Sequence, residues 1–193
     1  MSETELSEAV LHLAVVFDRR KVNHALIGGL AVGLRSRPRS TKDADFILNV
    51  PAMSFPGLLE ELVEAGFELD VLDAIRRWSN ERFLAFSRGR VRIDWMQPIL
   101  PLYATVLRTA EFEPWLGGNL RVATAEGLIL TKIVAFRPQD QADIETLLEA
   151  NGKALDLDLI RREWSAVAKD AEARNAWLED AIKRLVPPRL AGS

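Results

Sequence analysis

Asp43 and Asp45 stand two residues apart at the head of the apolar run Phe46-Ile47-Leu48, and the glycine pair Gly28-Gly29 closes the earlier run Ala25-Leu26-Ile27. Residues two apart on a strand project to one face, so a strand over about 43–50 offers both carboxylates to a single cation. Glycines where a strand turns sharply into a helix remove side-chain obstruction, leaving backbone N–H groups free to face a phosphate. Two carboxylates about 4 Å apart repel by on the order of 4 kcal/mol at an effective dielectric of about 20, so a close cluster calls for a cation or a proton. Between the two motifs lie Arg35, Arg37, Arg39, Ser40, Thr41 and Lys42, basic and hydroxyl groups that suit phosphate oxygens. The chemistry this spacing points to is that of a metal ion and a triphosphate.

The elements that must hold these residues follow from periodicity and breakers. Leu6, Val10, Leu13, Ala14 and Phe17 recur at spacings of three and four, which predicts an amphipathic helix over 5–19 with Ser2 and Glu5 as its capping box. The glycines open a short helix through Leu30, Ala31 and Leu34 that stops before Pro38, because the residue before a proline is biased away from helical angles. Residues 37–42 become a loop. The strand over 43–50 leads through Pro51 and Pro56 into a helix carrying Leu58, Leu59, Leu62 and Val63 and ending near Gly66. A helix over about 71–77 precedes two strands, over 82–87 and 90–96, joined at Arg88-Gly89 as a hairpin. In the second strand Val91, Ile93 and Trp95 alternate with Arg92, Asp94 and Met96, so Asp94 leaves the apolar face and joins Asp43 and Asp45 if their strands are neighbours.

Past a helix near 101–108, Gly117-Gly118 marks the turn into a last strand over 119–122. Helices dominate thereafter. Thr124 caps one carrying Leu128, Ile129, Ile133 and Val134; a second follows Pro138 and stops near Asn151-Gly152; two more span 155–167 and 171–185. The reading is an α/β (α+β) core with an N-terminal helix over 1–123, followed by a helical region over 124–193 that packs on it and ends in a loose tail.

With 193 residues the chain can bury a real core, and it has no cysteine, which excludes disulfides, thiolate metal sites and a cysteine nucleophile. No apolar run reaches the roughly 18 to 20 residues of a membrane span, and the acidic start is unlike a signal peptide, so a cytoplasmic protein with no membrane partner is expected. A net charge of −3 gives no global footprint for nucleic acid, although arginines crowd 35–39 and 76–92. His24 has no partner at metal-ligand spacing, and the five tryptophans are dispersed as packing residues would be.

Taken together, the glycine turn and the Asp-x-Asp strand resemble the signature of nucleotidyltransferases of the DNA polymerase beta type. More closely, Gly28-Gly29-Leu30-Ala31-Val32, Arg39-Ser40-Thr41-Lys42-Asp43-Ala44-Asp45 and the later stretch from Thr131-Lys132 through Arg137 to Asp140 and Asp143-Ile144 resemble the bacterial abortive-infection toxins called AbiEii-like. The matches keep the family's order from Gly28 to about Leu148. Two departures stand out: Ala44 occupies a position where a larger aliphatic residue is usual, and the chain is short for that group.

The resemblance implies a nucleotidyltransferase fold, a mixed β-sheet flanked by helices with a helical C-terminal region. It implies a site in which Asp43, Asp45 and Asp94 hold Mg²⁺ or Mn²⁺, with Asp94 also placed to take the acceptor's proton. Gly28, Gly29, Arg39, Ser40, Thr41 and Lys132 are its implied nucleotide contacts, Lys132 doubling as a charge stabiliser. Asp140 and Asp143 either position Lys132 or Arg137 or serve as a helix cap and surface ion pairs. The implied reaction moves a nucleoside monophosphate from an NTP such as ATP to an acceptor hydroxyl, with pyrophosphate leaving. Implied partners are an RNA acceptor such as tRNA and an antitoxin or DNA-binding regulator encoded nearby. A protein or small-molecule acceptor such as an antibiotic, and a non-catalytic nucleotide-binding module, are the competing readings.

Overall fold

The computed structural model describes residues 3–38 and 41–187. The expected capping residue Ser2, the site candidates Arg39 and Ser40, and the end of the tail lie outside the described residues.

Among the described residues six strands form one mixed sheet in the order β3-β4-β2-β1-β6-β5. Its centre is β1 (Asn23–Ile27) and β2 (Asp43–Asn49), paired antiparallel so that Ile27 lies opposite Asp45. β4 (Val91–Met96) runs parallel to β2, and β3 (Phe83–Arg88) closes that side as the predicted hairpin. On the other side β6 (Gly118–Val122) runs parallel to β1 and pairs antiparallel with the edge strand β5 (Glu111–Trp115).

Around the sheet are α1 (Glu3–Arg19), α2 (Gly28–Arg35), α3 (Phe55–Glu64), α4 (Val71–Glu81), α5 (Pro101–Thr109), α6 (Ala125–Ala135), α7 (Pro138–Asn151), α8 (Leu157–Ser165) and α9 (Glu172–Leu185). Among the described residues no helix is long and apolar enough to cross a membrane.

Side-chain alternation explains how the sheet sorts its two faces. Phe46 and Trp95 turn to the face where α1 packs, and the Phe17 ring lies 5.5 Å from each of theirs. The neighbouring positions on the same strands, Asp45 and Asp94, therefore turn to the opposite face. Because Val91, Ile93 and Trp95 are fully buried, slipping β4 by one residue would put Asp94 in the core, so the hydrophobic pattern fixes the carboxylate's side.

Two expectations need correction. β5 does not follow from the sequence, since Pro114 and the acidic Glu111 and Glu113 mask a strand; an edge position tolerates proline, and Arg35 reaches across to pair with both glutamates. α4 continues a turn past Arg77 to Glu81, which adds buried Trp78 to the stripe that Ala74 begins, and ends where Arg82 turns left-handed at φ +60°.

α6 joins the helical C-terminal region to the core. It packs against α2, α5, α7 and α8. Its start is capped by Thr124, whose hydroxyl accepts from the Gly127 N–H at 3.2 Å. Its end is closed by Arg174 of the α9 segment, which donates to the Val134 carbonyl at 2.7 Å.

Candidate active site

Parallel pairing of β2 and β4 brings the three sequence-selected carboxylates to one face. Asp45 lies directly opposite Asp94, and Asp43 lies opposite Arg92. Arg92 and Asp94, two apart on β4, share that face, and the Arg92 Nε donates to Asp94 Oδ1 at 2.8 Å. The Asp94 side chain is 18% exposed, whereas Arg92 stands out at 57%.

Asp45 is the electrostatic focus. Burial first, and then the repulsion of Asp94 and Asp43, push its carboxyl up to about 6; Lys132 and Arg137 pull against the rise without cancelling it. Gly28 lies against this carboxylate. At φ +70° Gly28 adopts an angle that L side chains avoid, and a Cβ built there would sit 1.9 Å from Asp45 Oδ2. The glycine makes room for the aspartate, in addition to opening the turn.

Gly28 and Gly29 begin α2, whose N-cap Ile27 has no side chain to satisfy the first-turn N–H groups. Such donors at a helix start favour an anion.

The Lys132 element is buried, against the expectation for a lone helix lysine. Lys132 is 8% exposed, with Asp140 and Asp143 at 0% and 3%. Its Nζ lies 3.1 Å from Asp140 Oδ1 and 2.7 Å from Asp143 Oδ2. Asp143 also accepts from Gln139 at 3.0 Å. Asp140, in the first turn of α7, accepts the Arg137 backbone N–H at 3.0 Å and the Arg137 Nε at 2.7 Å. Burial works to raise the Asp140 carboxyl, but the hydrogen bonds from Arg137 and Lys132 prevail and hold it below the usual carboxylate range.

Asp140 thus pairs with both Lys132 and Arg137, and Asp143 with Lys132. Asp140 also caps α7 by accepting the Arg137 backbone N–H. Arg137 itself is 74% exposed.

The remaining candidates scatter. The Thr41 hydroxyl donates to the Asp43 carbonyl at 3.2 Å, shaping the entry to β2. Arg35 donates to the Ala123 carbonyl at 3.0 Å and pairs with Glu111 and Glu113, so it ties α2 to the far strands. Arg37 reaches toward Glu149 at 3.7 Å.

The carboxylates fit a hard cation. Among the described residues no three His, Asp or Glu side chains close into a preformed cage. Mg²⁺ is commonly held by one or two carboxylates, with phosphates and waters filling the octahedron. An oxygen donor set gathered on one face, with Asp45 raised by burial and by its acidic neighbours, suits that mode of binding.

No protein-family model matches the sequence, and no curated protein matches it. Solved structures do. An antigenic nucleotidyltransferase-like protein from Paracoccidioides brasiliensis is similar at a TM-score of 0.53 and 17% identity, over 97% of this chain and 96% of that one. The antibiotic-resistance factor ANT(2'')-Ia is similar at a TM-score of 0.53 and 18% identity, over 95% of this chain and all of that one (100%).

The chain has the nucleotidyltransferase fold. At these identities the likeness establishes architecture alone. Within this nucleotidyltransferase fold, sequence reasoning passed over one neighbour of the carboxylates, Arg92. Arg92 carried a usable signal, since it sits two residues from Asp94 on one strand face.

Proposed function

We propose that this chain is a divalent-metal-dependent nucleotidyltransferase that moves a nucleoside monophosphate from an NTP to an acceptor hydroxyl. The observation that carries the reading is Asp45 opposite Asp94, on the face that Gly28 leaves open. Asp43, Asp45 and Asp94 would hold Mg²⁺, or Mn²⁺, which when bound neutralises triphosphate charge and acidifies the attacking hydroxyl.

Asp94 accepts the acceptor's proton as that oxygen bonds to the α-phosphorus and the bond to the bridging oxygen breaks, releasing pyrophosphate. The uncapped N–H groups at the start of α2 and the exposed Arg137 guanidinium bind the triphosphate. Gly29 and Thr41 add nucleotide contacts in this reading, and the motif resemblance implies the same role for Arg39 and Ser40. Lys132, fixed between Asp140 and Asp143, supplies positive potential at Asp45 and holds Asp140 in place to aim Arg137.

For the acceptor we favour an RNA end such as tRNA, in a toxin paired with an antitoxin, on the strength of the resemblance in the glycine, Asp-x-Asp and Lys132 motifs. A second reading, a small-molecule hydroxyl, is favoured by the span shared with ANT(2'')-Ia, an antibiotic-resistance factor as compact as this chain. Incubating the purified chain with each α-labelled NTP, Mg²⁺ and either total RNA or a panel of hydroxyl-bearing antibiotics decides between them. Label on RNA supports the first reading and label on an antibiotic the second. Absence of metal-dependent transfer to any acceptor sinks the proposal.

A further inference from the structure

β2 carries Asp45 near one end and Leu48-Asn49 at the other, roughly 10 Å along the strand. Those last residues open onto a cavity of about 380 Å³ between the strand ends, α3 and α4. Its volume falls in the range of small-molecule sites, and its position separates it from the carboxylate face.

The walls are apolar and partly aromatic. Phe55 and Trp78 stack with ring centroids 5.0 Å apart and planes 18° from parallel, and Leu48, Val50, Ile75 and Pro98 complete the surface. Large apolar side chains continue outward. Met53, Leu72 and Ile99 are 95%, 79% and 63% exposed, and each adjoins a lining residue in the chain or lies one helical turn from it: Ala52, Ile75 and Pro98. Leu72, Ile75 and Ser79 recur at spacings of three and four on α4, so one helix face runs from this rim into the cavity.

The polar lining is small and carries one sign of charge. It consists of Asn49, Ser79, Arg82 and Gln97, with no acidic residue. Arg82 Nη1 donates to Gln97 Oε1 at 3.1 Å, while Gln97 is anchored by donating its Nε2 to the Trp78 carbonyl at 2.7 Å. Among the described residues no carboxylate pairs with Arg82, whereas its neighbours Arg76 and Arg77 pair with Asp73 and Glu81. A guanidinium oriented by an amide at the mouth of an apolar pocket suits a planar, singly charged group that it can grip with two parallel hydrogen bonds. A phosphate, with nearly twice the charge and three acceptor oxygens, would need further cations that the lining lacks.

We propose that this cavity binds a small organic carboxylate with an apolar body, at a site separate from the nucleotide cleft. The carboxylate pairs with Arg82 and accepts from the Asn49 or Gln97 amide, while the hydrocarbon or aryl body enters between Ile75 and the Phe55–Trp78 stack.

Octanoate titrated into the full chain tests this, with octanol and octylamine as neutral and cationic counterparts and the NMR signals of Gln97, Ser79 and the Trp78 indole as readouts. Octanoate is expected to shift those signals saturably, with octylamine about tenfold weaker or worse. In Arg82→Gln octanoate weakens about tenfold while octanol is unchanged, and in Ile75→Glu both weaken. Added ATP leaves the octanoate shifts in place, whether or not the chain transfers nucleotides. The proposal is overturned if octanoate leaves the cavity signals unmoved, if octylamine matches it, if Arg82→Gln binds it as the wild-type chain does, or if ATP displaces it.

Discussion

The Cβ that Gly28 lacks would lie 1.9 Å from Oδ2 of Asp45, so these two residues occupy space that only one side chain can fill. Gly28→Ala must therefore move the Asp45 carboxylate or the start of α2, on top of the strain of a side chain at φ +70°. A displacement of about an ångström costs on the order of 10²-fold in rate where reacting groups must align. The variant is expected to keep its far-ultraviolet circular dichroism and to lose nucleotidyl transfer by about that factor. Full activity in Gly28→Ala would show that the close approach is not needed.

Asp45 makes the metal-free protein sensitive to pH in a definite direction. Its carboxyl is raised from 3.8 to about 6 in the folded chain, so the folded state holds a proton that the unfolded chain releases. Its stabilising contribution is whole below about pH 4 and is lost as the pH rises through about 6, by up to on the order of 3 kcal/mol before solvent screening reduces it. Thermal melts of wild-type and Asp45→Asn chains should diverge over that window, the variant being the more stable at about pH 8. Mg²⁺ should raise the wild-type Tm more at about pH 8 than at about pH 5, and leave the variant nearly unmoved. Parallel curves for the two chains would contradict the assignment.

Lys132 neutralises two buried carboxylates, and removing it leaves both without their ammonium. Lys132→Met is expected to cost about 3–5 kcal/mol in urea unfolding, as for other broken buried pairs. Asp140→Asn should cost less, because Asp143 keeps Lys132 paired at 2.7 Å. The Asp140 carboxyl is held low by Arg137 and Lys132 against the effect of burial, so its contribution is present above the unfolded value and is lost as the pH falls through its lowered one. Asp140→Asn should therefore flatten the acid side of the stability curve.

Arg92 competes with any cation for Asp94. Its Nε sits 2.8 Å from Asp94 Oδ1, and its backbone pairs with Asp43 across the sheet. Arg92→Gln should tighten Mn²⁺ binding by about threefold to tenfold in calorimetry, since it removes a positive charge beside two carboxylates. Stability should change by less than about 1 kcal/mol, as for exposed ion pairs. Weaker Mn²⁺ binding in this variant would mean that Arg92 orients Asp94 for the ion.

The elements that build the candidate site are those most readable from the chain. Gly28-Gly29, the Asp-x-Asp run, the hairpin about Gly89 and the Thr124 cap each rest on a local rule, a turn requirement, a period of two or a capping oxygen, and each appears in the fold. β5 was hidden because its composition argues against a strand, and it persists through hairpin pairing with β6 and the reach of Arg35 from α2, the latter across 78 residues of chain. The enclosure of Lys132 was hidden for a related reason. Its carboxylate partners lie on the next helix, and their burial depends on how α6 and α7 pack on α2.

Alone, then, the sequence determined which face of each strand a carboxylate must take, because a buried alternation of Val91, Ile93 and Trp95 leaves Asp94 no other side. It also determined where the chain turns, because glycine and proline restrict or release single dihedral angles. Only the tertiary structure decided that Asp94 stands opposite Asp45, that Gly28 yields its side-chain space to that aspartate, and that Lys132 is enclosed by two acids. Those relationships depend on strand order and helix packing, and long-range contacts of that kind leave no period, cap or turn signal in the residues that make them.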